Sequence, residues 1–260
     1  MTQHALVTGG GARLGRAMAL YLGDRGFDVA VHYNTSSDGA DEVVGALKAR
    51  GRRAVAVQAD LLDEAATQDL FGRAVDALGG AITCLVNNAS VFEYDNITTA
   101  TANSWDRHMG GNLRAPFVLT QAMAAQGLEP DTDEQGEPVA TGLVVNMLDQ
   151  RVQKLTPEFM TYTIAKMGLW AMTRTTAQAL APAIRVNAIG PGPTLKGARQ
   201  SQDHFDGQRS RVPLGRGANP DDITAALGYF LDAKSVTGQL LCTDGGQHLT
   251  WKTRDIQGVE

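Results

Sequence analysis

The sequence predicts a single α/β domain over residues 1–260, with a doubly wound parallel sheet of seven strands. Three observations predict it: seven short runs rich in Val, Ile and Leu, segments with helical spacing between them, and a length of 260 residues. Near-continuous apolarity is typical of strands that are covered on both faces. Strands that alternate with helices form parallel sheets, and this length suits one large domain.

The predicted strands cover residues 5–8, 28–33, 54–58, 81–86, 142–147, 184–189 and 238–243. Three apolar stripes with helical spacing lie between the early strands: Leu14, Ala17, Met18, Tyr21 and Leu22; Val43, Val44 and Leu47; Leu70, Phe71, Val75 and Leu78. Gly26 is placed to end the first helix.

Two polar stretches interrupt this alternation. Residues 129–140 are acidic and carry two prolines, which predicts an exposed surface loop. Residues 194–213, called the substrate segment below, follow a glycine–proline turn after the sixth strand. Doubly wound sheets bind ligands at that edge, so we predict a substrate loop there, either a mobile lid or a plain loop.

Composition narrows the function classes. The net charge of -5 offers no basic surplus for nucleic acid. No apolar run approaches the roughly 20 residues of a membrane span, and the first residues do not resemble a signal peptide. We therefore expect a cytoplasmic protein without nucleic-acid or membrane partners. Cys84 and Cys242 lie in apolar runs, where thiols pack as small hydrophobes, and no metal site is predicted.

A glycine cluster lies between the first strand and the first helix. Residues 8–15 read TGGGARLG. Glycines at this point, here Gly9 and Gly15, allow the backbone to approach a pyrophosphate at the positive helix N-terminus. Together with Arg13 and Leu14, they predict a dinucleotide site of the Rossmann type.

The end of the second strand indicates which dinucleotide binds. An NAD site usually has an acidic residue there, but this strand continues as His32, Tyr33, Asn34, Thr35 and Ser36, with no acid before residue 38. Arg13, His32 and the hydroxyls around Ser36 are suited to a 2′-phosphate, so we predict NADPH. Asp60, after strand three, is predicted to bond the adenine amino group, with a helix N-cap as the alternative, and its neighbour Leu61 is also a predicted cofactor contact.

Tyr162 and Lys166 are spaced i, i+4 in a predicted helix, which places phenol and ammonium on one face. A neighbouring cation is expected to lower the pKa of the tyrosine towards a useful range. The pair follows the fifth strand, at the edge where the cofactor is expected. These residues are therefore candidates for acid–base catalysis.

Six short motifs follow one another along the chain: the turn at 8–15, Asn87-Asn88-Ala89, Asn112, Tyr162 with Lys166, Pro191-Gly192, and Asp244-Gly245-Gly246. In the order of these motifs the chain resembles the short-chain dehydrogenase/reductase family over nearly its whole length. The resemblance implies that Tyr162 donates a proton, Lys166 activates it and Asn112 holds a linking water. It also implies cofactor contacts from Asn88, Ala89, Ser90, Pro191 and Gly192, and a homotetramer.

Two departures resemble the pteridine reductase branch of that family: Arg13 within the glycine turn, and Asp149 where a serine is usual, 13 residues before the tyrosine. The resemblance implies that Phe92 stacks on a flat pterin ring and that Ser90 bonds the pterin. A serine hydroxyl suits a carbonyl oxyanion, whereas a carboxyl beside the tyrosine suits proton delivery to a nitrogen. Asp149, Tyr162, Ser90 and Phe92 are thus the predicted substrate contacts.

The leading hypothesis is NADPH-dependent reduction of a dihydropterin, dihydromonapterin or dihydrofolate. One alternative is a carbonyl reductase acting on a 3-oxoacyl thioester or small ketone, and another is a catalytically silent NADPH-binding protein. Individual residues also have structural alternatives. Asp149 is also placed to cap a turn or form an ion pair, Phe92 to pack in the core and Arg13 to be solvated at the helix start.

Overall fold

The computed structural model describes residues 3–197 and 200–251. The strands are β1 His4–Val7, β2 Asp28–Tyr33, β3 Ala54–Gln58, β4 Cys84–Asn87, β5 Asp131–Thr132, β6 Pro138–Val139, β7 Gly142–Met147, β8 Ile184–Pro191 and β9 Leu240–Thr243. The helices are α1 Arg13–Asp24, α2 Ser37–Ala49, α3 Glu64–Leu78, α4 Ala102–Met109, α5 Ala115–Ala124, α6 Met160–Leu180, α7 Gln202–Ser210 and α8 Pro220–Asp232. A π-helical turn, Gly110–Arg114, joins α4 to α5, and short 3₁₀ turns cover Gln150–Val152 and Gln247–Leu249.

Seven of the strands form one parallel sheet in the order β3-β2-β1-β4-β7-β8-β9. The chain starts in the middle, winds outwards to β3, and returns to build the other half from β4 to β9. This is the predicted doubly wound fold, and the prediction is confirmed. The strand order reverses between β1 and β4, where such sheets open a ligand crevice at their carboxyl edge.

Two hydrophobic clusters cover the two faces of the sheet. Val7 faces the cluster built with α1, α2 and α8, which contains Met18 and Phe230, and its neighbour Leu6 faces the cluster with α3 and α5, which contains Leu70. All five side chains are fully buried. Successive residues of a strand point to opposite faces of the sheet. Because both faces are covered, the sequence of such a strand is a continuous apolar run.

One strand begins later than predicted. β4 starts at Cys84, although the apolar run starts at residue 81. The backbone of Ile82 is bonded to a side chain instead of a neighbouring strand: its N–H donates to Oε1 of Gln126 at 2.8 Å, and its carbonyl accepts from Nε2 at 3.0 Å. A side-chain amide therefore replaces the ladder at this point.

The acidic stretch 129–140 contains a short hairpin that the sequence did not predict. β5 and β6 pair antiparallel, and their residues are mostly exposed. The Asp133 carboxylate organises the turn by accepting from the N–H groups of Gln135 and Glu137, both at 2.9 Å. Local bonding of this kind is why aspartate favours turns. The segment lies at the surface as predicted, with a two-residue ladder added.

The substrate segment includes helix α7, so the expectation of a loop without regular structure is wrong. Its N-terminus is capped by Ser201, whose hydroxyl accepts from the N–H of His204 at 3.2 Å. None of the α7 residues is buried, so the helix has no apolar stripe by which to recognise it. Arg209 of α7 donates to the carbonyls of Pro193 at 2.8 Å and Gly217 at 3.2 Å, which ties together the two ends of the segment. Residues 198–199 lie outside the described part.

Both cysteines are free thiols. Cys84 is buried in a core cluster and Cys242 is half-buried, as predicted. Of the helices in the described part of the chain, none is long and apolar enough to cross a membrane. Within residues 3–197 and 200–251, no group of three or more His, Cys, Asp or Glu side chains is gathered around a possible metal position.

Candidate active site

The glycine turn is held in a shape that only glycine permits at two positions. Gly9 adopts φ +62°, a left-handed conformation that favours glycine. A Cβ on Gly15 would lie 2.1 Å from the carbonyl oxygen of Gly9. The N-cap residue of α1, Ala12, supplies no side-chain cap from within the described residues. The first N–H groups of α1 are therefore suited to a pyrophosphate, since helix N-termini bind anions.

Thr8 connects this turn to the segment after β4. Its hydroxyl accepts from the N–H groups of Asn88 at 2.8 Å and Ala89 at 3.0 Å. In return, Nδ2 of Asn88 donates to the Thr8 carbonyl at 2.8 Å. The predicted cofactor residues Gly9, Asn88 and Ala89 thus form one rigid edge of the crevice.

Arg13 adopts φ +50°, which explains why glycine is the usual residue at this point of the turn. Its guanidinium donates to the carbonyls of Leu195 and Lys196, both at 3.0 Å. It is therefore not merely a solvated residue at the helix start. Its contacts join the glycine turn to the substrate segment. Leu14 packs against the core cluster beside α1.

His32 does not have the predicted 2′-phosphate role. Its side chain is only 2% exposed. Nδ1 accepts from the N–H of Gly9 at 3.0 Å, so Nε2 carries the proton and donates to the carbonyl of Ala59 at 3.1 Å. Burial lowers the pKa of the imidazole from 6.5 to about 4, which leaves it neutral at pH 7. His32 holds the glycine turn against the end of β3 and offers no charge to a phosphate.

The residues after His32 divide into two groups. Tyr33 is half-buried against the core cluster, whereas Asn34, Thr35 and Ser36 are exposed. Ser36 occupies the N-cap position of α2, and its hydroxyl forms no cap bond within the described residues. An exposed hydroxyl at a helix N-terminus suits an anion, and the contact of Ser36 with a 2′-phosphate stays a prediction.

Asp60 lies at the predicted place beyond β3, and Leu61 packs partly buried against the second core cluster. The Asp60 carboxylate accepts from the N–H of Leu62 at 3.0 Å and from Nδ2 of Asn34 at 3.3 Å. The alternative role as the cap of α3 is wrong, because Asp63 caps that helix through the N–H of Ala66. The adenine contact stays a prediction.

The predicted catalytic groups meet at the carboxyl edge of the sheet. The Tyr162 hydroxyl donates to Oδ2 of Asp149 at 3.1 Å, and Oδ1 of Asp149 accepts from the N–H of Arg151 at 2.8 Å. Asp149 therefore caps the 3₁₀ turn and also contacts the tyrosine; its catalytic role stays a prediction. Lys166 donates to the Met147 carbonyl at 2.7 Å, with its Nζ 5.7 Å from the centre of the Tyr162 ring.

The electrostatics of this pair differ from the expectation. Burial and the adjacent Asp149 carboxylate raise the pKa of Tyr162 well above 10, whereas the lysine was expected to lower it. The reason is geometric, because the ammonium of Lys166 is bonded to a carbonyl while Asp149 faces the phenol. Burial lowers the pKa of Lys166 to about 8, against the charge of Asp149, which raises it. Tyr162 is thus a protonated donor at neutral pH.

Asn112 lies in the π-helical turn, a rare element that is frequent at functional sites. Its amide is fully buried. Oδ1 accepts from the Ser90 hydroxyl at 3.0 Å and the Val91 N–H at 2.9 Å, and Nδ2 donates to the Val91 carbonyl at 2.8 Å. Asn112 therefore fixes the chain just before Phe92. Its predicted role in holding a water stays a prediction.

Phe92 lies beside Tyr162, as the substrate prediction requires, but it also packs. Its ring stacks on Phe159 at 4.5 Å with 9° between the planes, and meets the Tyr162 ring at 4.8 Å and 73°. It is nevertheless 46% exposed. Sequence reasoning missed Phe159 and also Arg151, whose guanidinium lies 5.1 Å from the Phe159 ring centre. The only sequence signal was the position of Phe159, three residues before Tyr162.

Pro191 and Gly192 end β8 at the same edge. The Gly192 N–H donates to the Thr243 carbonyl at 3.1 Å. A Cβ on Gly192 would lie 2.7 Å from the Cα of Asp244, so two of the sequence landmarks pack directly against each other. The substrate segment leaves the sheet from this point.

The glycine turn follows β1, and Asp149 follows β7, so the turn and the cluster of Asp149, Tyr162 and Lys166 both lie at the carboxyl edge of the doubly wound sheet. Together they define a Rossmann-type oxidoreductase. The family model described as "Enoyl-(Acyl carrier protein) reductase" matches residues 11–248. The chain belongs to this short-chain dehydrogenase/reductase family.

Among solved structures, the chain is similar to FolM alternative dihydrofolate reductase 1 from Brucella canis, crystallised with NADP. The two are 43% identical with a TM-score of 0.90, over 98% of this chain and 97% of that one. A short-chain dehydrogenase from Burkholderia cenocepacia, also with NADP, is 31% identical with a TM-score of 0.83, over 94% and 97%. The 3-oxoacyl-[acyl-carrier-protein] reductase FabG of Staphylococcus epidermidis is 29% identical over 96% of this chain and 100% of its own length.

Proposed function

We propose that the protein uses NADPH to reduce a C=N bond of a pterin-type substrate: a dihydropterin, dihydromonapterin or dihydrofolate. The observation that carries this proposal is the bond from the Tyr162 hydroxyl to the Asp149 carboxylate at 3.1 Å. It places an acidic group where a carbonyl reductase of this family has a serine. The 43% identity to the Brucella alternative dihydrofolate reductase supports the same substrate class.

NADPH is the cofactor of this enzyme, in keeping with the NADP in similar structures. When bound, it supplies the hydride. We assign its pyrophosphate to the α1 N-terminus beside Gly9 and Gly15, and its 2′-phosphate to Arg13 and the hydroxyls of Thr35 and Ser36. Lys166, buried next to Tyr162, is the residue proposed to bond the nicotinamide ribose.

The proton route follows from the charges. Tyr162 is protonated at neutral pH, because its burial and the adjacent carboxylate disfavour the phenolate and raise its pKa. It can therefore donate to a substrate nitrogen as the hydride arrives at the adjoining carbon. Donation leaves Tyr162 as a phenolate. Asp149, which faces the phenol oxygen, then takes a proton from water and passes it to the phenolate, which restores the phenol. A general acid placed in this way contributes typically 10²–10⁴-fold.

The aromatic surface beside the acid favours a flat substrate. Phe92 is backed by Phe159 and stays 46% exposed, so it can stack on a planar heterocycle. Ser90, whose hydroxyl donates to Asn112, lies two residues earlier and can accept from such a ring. A linear acyl chain makes no comparable use of a stacked aromatic face.

Reduction of a carbonyl is the second candidate. The observation in its favour is the full-length similarity to a 3-oxoacyl-[acyl-carrier-protein] reductase, at 29% identity. In that reaction negative charge develops on the carbonyl oxygen, and hydroxyl donors stabilise it. The Asp149 carboxylate would oppose that charge at the place where a hydroxyl is needed.

The two candidates are separated by following NADPH oxidation with a 7,8-dihydropterin and, separately, with an acetoacetyl thioester. We expect turnover of the dihydropterin, loss of that turnover in Tyr162→Phe, and a fall of about 100-fold in Asp149→Ser. Turnover of the thioester alone, retained or raised in Asp149→Ser, would overturn the pterin proposal. NADPH binding without turnover of either compound would indicate a catalytically silent binding protein.

We also propose that the enzyme works as a homotetramer in the cytoplasm. Three large apolar side chains on α4 and α6 support a contact between subunits, because they are exposed here: Trp105 at 43%, Ile164 at 38% and Met167 at 37%. Sedimentation equilibrium tests the assembly, and a purely monomeric protein at micromolar concentration would refute it.

A further inference from the structure

The helix that carries Tyr162 begins in an unusual way. The residue before α6, Phe159, adopts a left-handed backbone with φ +57° and provides no side-chain cap to the helix within the described residues. Tyr162 is the third residue of the helix, so it lies in the turn that would fray most easily. The tyrosine can hold its position only if something else fixes this first turn.

Asp95 supplies the missing cap from a distant part of the chain. Its backbone carbonyl accepts from the N–H of Met160 at 3.3 Å, and its Oδ1 accepts from the N–H of Thr161 at 3.1 Å. Its other carboxylate oxygen accepts from the Thr161 hydroxyl. One buried residue, 2% exposed, thus satisfies two of the helix N–H groups that lack partners within α6.

His108 of α4 completes the network from the other side. Its Nε2 accepts from the N–H of Glu93 at 3.1 Å, so the proton is on Nδ1, which lies 2.6 Å from the Thr161 hydroxyl oxygen and donates to it. The His108 side chain is fully buried, and its ring also meets the Tyr162 ring at 6.0 Å and 72°. Thr161 therefore accepts from His108 and donates its single hydroxyl proton to Asp95.

The charges agree with this arrangement. Burial alone would raise the pKa of Asp95, but hydrogen bonds from Thr161 and from the Ser104 side chain outweigh it, and the pKa is lowered. A carboxylate at a helix N-terminus is also stabilised by the helix dipole. Burial lowers the pKa of His108, despite the nearby carboxylates of Asp95 and Glu93, so the imidazole is neutral at pH 7. The network is therefore an anion held by neutral donors.

We propose that Asp95, Thr161 and His108 are positioning residues for Tyr162, holding the first turn of α6 so that the phenol stays within hydrogen-bond distance of Asp149. The inference rests on the proposed role of Tyr162 as proton donor. None of the three residues is required to touch the substrate. They act by keeping the acid in place, and displacement of a catalytic group by about 1 Å costs on the order of 100-fold in rate.

The test uses isosteric changes within one turn of helix. Thr161→Val removes the hydroxyl, so Oδ2 of Asp95 and Nδ1 of His108 lose the bonds that they form with it; Thr161→Ser restores it. Thr163→Val is the matched control, because the Thr163 hydroxyl is also buried and has no hydrogen-bond partner among the described residues. We expect kcat to fall about 10- to 100-fold in Thr161→Val, with the NADPH Kd within 2-fold. Thr161→Ser and Thr163→Val should stay within about 3-fold of the parent.

A second readout needs no substrate. Amide hydrogen exchange of residues 160–163 should speed up by about 10-fold or more in Thr161→Val and Asp95→Asn, and stay unchanged in Thr163→Val. Unchanged exchange in Thr161→Val overturns the positioning proposal, whatever the enzyme reduces. A lower Tm with unchanged kcat, measured well below that Tm, overturns it too, because a merely structural cap would give that result.

Failure of the proposed function gives a different pattern. If the parent protein turns over only the thioester, the pterin proposal is wrong. The positioning proposal is then tested by comparing kcat of the parent and Thr161→Val with the thioester as substrate. If the parent reduces neither compound, the proton-donor role falls, and a change in exchange alone would then show a helix cap without a catalytic purpose. The positioning proposal holds only when exchange and kcat change together.

Discussion

His32 offers a prediction whose size follows directly from its surroundings. Burial lowers the pKa of the imidazole from 6.5 to about 4. Between pH 4 and pH 6.5, His32 is therefore protonated in the unfolded chain and neutral in the folded protein. Stability contributed by the neutral ring is complete above pH 6.5 and is lost as the pH falls towards 4. By pH 5 the loss relative to pH 7 amounts to about 2 kcal/mol.

The perturbation is His32→Asn, whose side-chain oxygen can still accept from the Gly9 N–H but does not titrate. At pH 7 we expect this variant to be less stable by about 1–2 kcal/mol, because the bond to the Ala59 carbonyl is lost. At pH 5 the difference in free energy of unfolding between the two proteins should disappear, because only the parent is destabilised by holding a neutral imidazole at that pH. Urea unfolding at the two pH values measures both differences.

Other groups titrate over the same range, but they are common to both proteins and cancel in the comparison. His204→Asn is the control, since His204 is exposed; its pH dependence should match that of the parent. A gap between parent and His32→Asn that stays constant from pH 7 to pH 5 would refute the reasoning. A second result would also refute it: at pH 7, His32→Asn binds NADPH more weakly than the parent but binds NADH equally well. That result would mean that His32 does contact the 2′-phosphate.

Three further predictions concern the turn, the lysine and the substrate segment. Gly15→Ala forces a Cβ to within 2.1 Å of the Gly9 carbonyl, so we expect about 1–3 kcal/mol of destabilisation in urea and weaker NADPH binding by fluorescence. Gly72→Ala, in open space on α3, should be neutral or stabilising. The NADPH Kd should rise above about pH 8 as Lys166 loses its charge, and Lys166→Arg should abolish that rise because its guanidinium stays charged. Arg209→Lys cannot hold both ends of the substrate segment, so the KM for the reduced substrate should rise several-fold in steady-state assays; an unchanged KM would mean that the segment does not shape the site.

The fold was predictable because its signal is local. Leu6 and Val7 point to opposite faces, yet both are buried, so a strand in the middle of the sheet is marked by a run of apolar residues. Gly15 and Tyr162 were predictable for a related reason, since each belongs to a short motif whose spacing carries the chemistry. Helix α7 escaped because it buries no side chain and so has no apolar period.

The missed parts of the site depend on contacts between distant residues. His32 looked like a phosphate ligand until strand register placed it between Gly9 and Ala59, 27 positions further along the chain. Asp95 and Thr161 are separated by 66 positions, and neither lies in a recognisable motif. The pKa of Tyr162 depends on which neighbour faces the phenol, and spacing along a helix does not determine that.

The π-helical turn at Gly110–Arg114 has a consequence for the rod formed by α4 and α5, which runs through it without a break. A π turn is an α-helix with one residue inserted, so it changes the angular phase between the two halves. His108, on one side, can face α6 while Leu119, on the other, faces the sheet. Deleting one residue from the turn would rotate α4 by about 100° relative to α5. His108 could then no longer face α6 while Leu119 faces the sheet.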